Sequence, residues 1–104
     1  SGLAMSSRNT LLSENERQIA ANISKILFKS KNFATNHTLE ETRKYVIDSI
    51  NAIVGLEVQY YEIVDGLALQ SVQKWSDSDY IVGCITVYCG DQPIRLIDHI
   101  KYKG

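Results

Sequence analysis

At 104 residues, with 44% hydrophobic and 22% charged residues and a single proline, the chain has the size and composition of one folded domain, which excludes a disordered or fibrous protein. Its formal net charge is −1 and its Lys and Arg residues are dispersed, so it carries no electrostatic footprint for DNA, RNA or anionic lipid. No stretch reaches the ~20 apolar residues that cross a bilayer and no signal-peptide pattern opens the sequence; neither nucleic acid nor membrane is expected as a partner, and the expected location is cytoplasmic.

The first element is announced by Ser13-Glu14-Asn15-Glu16, a capping box in which hydroxyl and carboxylate satisfy each other's backbone amides. Ile19, Ile23, Ile26 and Leu27 then recur at helical spacing, predicting a helix to about Phe28 or Ser30. Residues 32–37 lack a period and read as a connection. Thr38-Leu39-Glu40-Glu41 repeats the capping box, and Leu39, Val46, Ile47, Ile50, Ile53 and Val54 form a second apolar stripe ending at Gly55.

Beyond Gly55 the period changes to two. Leu56, Val58, Tyr60 and Val64 share one face of a predicted strand, with Glu57, Gln59, Tyr61 and Ile63 on the other. Residues 65–79 read as a loop pinned by Trp75. Tyr80 to Cys89 is apolar on both faces, as a central strand is, Gly90-Asp91-Gln92-Pro93 turns the chain, and Ile94 to Tyr102 returns antiparallel. The order predicts an α+β fold: two amino-terminal helices, then a small, roughly three-stranded antiparallel sheet with the helices packed on one face.

Met5-Ser6-Ser7-Arg8-Asn9, placed after Gly2 and before the first cap, is the segment with chemical potential. Hydroxyls, backbone amides and one guanidinium all donate to anionic oxygens, and Arg8 can do so bidentately, which suits a polyphosphate; the bland reading is a solvated tail. Gly2-Leu3-Ala4-Met5-Ser6-Ser7-Arg8-Asn9, with Leu12, Ser13, Glu16 and Arg17, resembles the ATP loop of the pantothenate synthetase (pantoate–β-alanine ligase) family. Tyr60 to Asp65 and Arg95-Leu96-Ile97-Asp98 resemble later family segments in the right order.

The resemblance implies residues 1–12 as an ATP-phosphate loop, with ATP held by Met5, Ser6, Ser7 and Arg8, and residues 13–104 as a carboxy-terminal lid domain. It implies a ligase that joins pantoate to β-alanine through a pantoyl adenylate, uses ATP with magnesium, and works as a homodimer at full length. The family's His-x-Gly-His domain has no counterpart here, so no catalytic residue and no metal ligand is assigned, and the isolated domain is expected to be inactive. The turn at residues 90–94 and His99, where the family commonly has Asn, depart from its pattern. The alternative is a small protein-interaction or self-association module without catalysis.

Elsewhere the bland readings prevail. Cys84 and Cys89, five apart in one strand, point to opposite faces and read as buried, reduced thiols. His37 and His99 read as helix-flanking and strand-end residues, and Asp77 and Asp79 as turn caps rather than cation ligands. Arg95 and Asp98 fall on opposite faces, and Tyr60, Tyr61, Tyr80 and Tyr88 read as sheet and core residues.

Overall fold

In the computed structural model, which describes residues 12–104, helix α1 (Glu14–Ala34) and helix α2 (Leu39–Asn51) precede strands β1 (Leu56–Asp65), β2 (Ile81–Cys89) and β3 (Ile94–Lys103). Both capping boxes form: the Ser13 and Thr38 hydroxyls accept from the Glu16 and Glu41 amides at 3.1 Å, and the carboxylates return to the cap amides. The sheet is antiparallel with β2 central. This is the α+β arrangement expected, with α1 and α2 on one face of the sheet.

Three expectations shift. Helix α1 runs past Ser30 to Ala34 because its last turn has a tertiary partner: the Phe33 ring stacks on Tyr45 of α2 at 4.4 Å and on His37 at 3.7 Å. Helix α2 stops at Asn51, whose side-chain oxygen accepts the Val58 amide at 2.8 Å, so Ile53 lies beyond the helix and Val54 is 92% exposed. Gly55 then turns the chain with φ +100.

The third concerns β1. Val58 pairs with Val87 but Tyr60 pairs with Thr86, which leaves Gln59 as the extra residue of a β-bulge. The bulge exchanges the faces: Leu56 and Val58 point to the helices, and beyond it so do Tyr61 and Ile63, while Tyr60 turns outward. Tyr61, expected on the same face as Glu57, instead faces the helices, and it is fully buried, in keeping with its reading as a core residue.

The core lies between the helices and this face, where Ile23, Leu27, Val46 and Ile50 meet Tyr61, Ile85, Val87 and Leu96. Each such side chain contributes about 1.5–3 kcal/mol on burial. Gly83 faces the Tyr61 ring, and a methyl group there would overlap the Tyr61 hydroxyl. That hydroxyl bonds Tyr102, which reaches Ser30 of α1 at 2.7 Å. The segment between β1 and β2 holds one 3₁₀ turn (Trp75–Asp77), and the Trp75 indole N–H donates to the His37 carbonyl at 2.9 Å.

Candidate functional site

Met5, Ser6, Ser7 and Arg8 lie outside the described residues. What the structure does define is the platform from which they depart. Leu12 is buried in the core, and Ser13 immediately caps α1. Three turns meet at this end of the molecule. The Glu16 carboxylate lies where a side chain on Gly90 would project, and Gly90 has φ +94, so this turn requires glycine for its conformation. The Gly90 amide donates to the Gly55 carbonyl at 3.1 Å, and the Cys89 thiol approaches the Glu16 carbonyl at 3.8 Å. The capped start of α1, the α2–β1 turn and the β2–β3 turn are thereby fastened together.

Most of the other polar groups singled out in the sequence serve the scaffold. Asp77 accepts the Gln73 and Lys74 amides at 3.0 and 3.1 Å, and these bonds hold its carboxyl below the usual range, as a turn cap does. Asp65 accepts the Leu67 and Ala68 amides and the Ser78 hydroxyl, with the same effect. His37 donates through Nδ1 to the Phe33 carbonyl at 2.8 Å, and His99 is exposed on β3. Arg95 donates to the Gln59 side chain at 3.0 Å on the face opposite Asp98. Cys84 and Cys89 are both free thiols; Cys89 is buried but Cys84 only half-buried, because it sits on the face that no helix covers. Burial raises the pKa of both. Among the described residues, no three His, Cys, Asp or Glu side chains come together as a metal site.

Asp98, read in the sequence only as lying opposite Arg95, has a more unusual setting. Along β3, Ile94, Leu96, Asp98, Ile100 and Tyr102 alternate toward the helices, so a carboxylate stands in an otherwise apolar row. Asp98 Oδ1 accepts the adjacent His99 amide at 2.7 Å, while Oδ2 is buried without a donor among the described residues. Burial raises the Asp98 pKa, only partly offset by that bond and by the adjacent His99 side chain. The signal was present in the strand alternation, but nothing in the sequence says which face of a short edge strand is covered.

The family model described as Pantoate-beta-alanine ligase matches residues 1–101. The chain belongs to the pantoate–β-alanine ligase family. Relatives within it include the pantothenate synthetase of Bacteroides fragilis strain YCH46, 58% identical over 102 residues that cover 98% of this chain and 36% of that protein. That of Porphyromonas gingivalis strain ATCC 33277 is 51% identical over the same share of each. The chain therefore spans about 36% of the length of these curated relatives, corresponding to their carboxy-terminal part. The crystal structure of pantothenate synthetase from Thermus thermophilus superposes with a TM-score of 0.82 over 99% of this chain and 36% of that one, at 24% identity, which establishes a common fold. The family match includes residues 5–8, the segment singled out for its donors.

Proposed function

We propose that this chain is the carboxy-terminal lid domain of a ligase that condenses pantoate with β-alanine at the expense of ATP, residues 1–12 forming the ATP-phosphate loop and residues 13–104 the lid. Family membership across residues 1–101 carries the reading. Pantoate carboxylate attacks the α-phosphorus of ATP, taken as its magnesium complex, and pyrophosphate leaves. The β-alanine amine then attacks the acyl carbon of the pantoyl adenylate, releasing AMP and pantothenate. Domain closure would keep water from this hydrolysable anhydride. The full-length enzyme is a cytoplasmic homodimer in this reading, and the separate domain is inactive.

The local chemistry supports assigning the phosphate contacts to the segment itself. The start of α1 is already loaded with anions, since Glu14 and Glu16 occupy its first turn and the Glu16 amide is taken by Ser13. Its dipole is thus largely answered from within the helix. Charge on departing pyrophosphate would instead meet the Arg8 guanidinium, with the Ser6 and Ser7 hydroxyls and the Met5–Ser7 amides as fixed donors.

Arg8→Ala in the full-length enzyme tests this. With ATP and pantoate alone, pyrophosphate release is expected to fall by on the order of 100-fold, about 2.7 kcal/mol of transition-state stabilisation. An unchanged rate refutes the role of Arg8.

A further inference from the structure

A groove of about 380 Å³ runs along the seam between α1 and β3, bordered by Ser24, Leu27 and Phe28 on the helix and by Asp98 and Ile100 on the strand. Its walls are mainly hydrocarbon, yet it contains the one carboxylate of the helix-facing row of β3. The register sets Asp98 beside buried Ile85, so its neighbour on the central strand offers no donor. Two cationic or titratable groups stand at the rim, exposed Lys25 on α1 and exposed His99 on β3, and neither forms an ion pair with Asp98 among the described residues. Phe28, one turn from Ser24, is 70% exposed beside the opening.

Asp98 is half-buried and its Oδ1 accepts the His99 amide, but Oδ2 is buried without a donor among the described residues, which is costly because burial removes hydration without replacing it. Thr, Val or Ile would fill the same strand position without that cost. Rules of local consistency are broken most often where a residue serves a ligand. The groove has the two parts that an alkyl cation requires: an apolar channel for a short stem and an acceptor for its charged head. The carboxylate torsion is soft, so either oxygen can turn toward a donor while the other keeps the His99 amide. The exposed Phe28 ring adds a face that attracts cations.

We propose that the α1–β3 groove is a binding site for an alkylammonium or alkylguanidinium group, with Asp98 as its anionic acceptor and Leu27, Phe28 and Ile100 as the sleeve for its stem. The group can be presented by a free amine or by a lysine or arginine side chain of a protein.

The test uses this 104-residue chain, so its outcome is independent of Arg8. In the ¹⁵N-labelled chain, n-butylammonium and n-butylguanidinium chloride, titrated against matched sodium chloride, are expected to shift the Ser24, His99 and Ile100 amides saturably in the millimolar range. n-Butanol, with the stem and no charge, is expected to leave them in place. Asp98→Asn should weaken binding on the order of 10-fold, with amide positions outside the seam preserved as proof of folding, and Phe28→Ala should weaken it without touching the carboxylate. Absence of saturation by tens of millimolar, or full affinity in Asp98→Asn, overturns the site. Nα-acetyl-lysine and Nα-acetyl-arginine N-methylamides separate the sources: binding equal to that of the butyl cations supports a protein side chain, and binding by the butyl cations alone supports a free amine.

Discussion

Asp98 lies between Leu96 and Ile100 in a row that faces the helices, and its folded-state pKa is raised by burial above the ordinary 3.8. Folding therefore shifts its equilibrium toward the neutral acid. The contribution of this group to stability is greatest below the unfolded pKa, is lost as pH rises through the folded pKa, and is constant above it. Asp65 and Asp77 act in the opposite sense: their pKa values are lowered by backbone hydrogen bonds, so their stabilisation is present above 3.8 and is lost as pH falls through the folded values. Asp98→Asn is expected to raise stability at pH 7 by roughly 0.5–1 kcal/mol, after allowance for its partial exposure. In urea titrations across pH 3–7 the gain should shrink toward the acid end. A variant less stable than the parent at pH 7 would show that the carboxylate has a partner in solution.

At the scale of the element, the β1 bulge decides which side chains enter the core. Strict alternation from Leu56 places Tyr61 and Ile63 outward; the extra residue Gln59 restores them to the helix face. Deleting Gln59 should accordingly leave a regular strand, Leu56-Glu57-Val58-Tyr60-Tyr61-Glu62-Ile63, with the same residues inside. The variant is expected to fold, with stability changed by about 1–2 kcal/mol or less and with the Tyr61 ring still protected in NMR spectra. If the bulge did not set the register, the deletion would expel Tyr61 and abolish the thermal transition. The capping boxes behaved differently. Ser13/Glu16 and Thr38/Glu41 were readable directly, because the motif is local and each partner lies three residues from the other. The ends of the helices were not, since Phe33 holds the last turn of α1 through Tyr45, a residue of the next helix.

Across the whole molecule, one hydroxyl chain ties three elements. Tyr61 of β1 bonds Tyr102 of β3, and Tyr102 bonds Ser30 of α1, whose hydroxyl donates to the Leu27 carbonyl. Both phenols have raised pKa values, Tyr61 and Tyr102 alike chiefly through burial, so both are neutral donors at physiological pH. Tyr102→Phe removes the link while keeping the ring against Trp75, and is expected to cost about 1–3 kcal/mol in urea denaturation because the Tyr61 hydroxyl is left buried. A loss within about 0.5 kcal/mol, the scatter of a surface substitution, would mean that the network contributes nothing. Gly83 belongs to the same arrangement, as the glycine that makes room for the Tyr61 hydroxyl.

The sequence by itself determined the α+β order, both helix starts, the central strand and the membership of the family, because each is written in neighbouring residues or in the contiguous segment Gly2–Asn9. It also held the donors of residues 5–8, whose contacts rest on the proposal tested through Arg8. Only the tertiary structure decided that Gln59 bulges, that Tyr61 faces the helices, that α1 reaches Ala34 and that Asp98 Oδ2 stands without a donor among the described residues. The physical reason is the same in each case: these outcomes depend on what lies opposite a residue across the sheet or the helix seam, and periodicity along one strand does not record its partner.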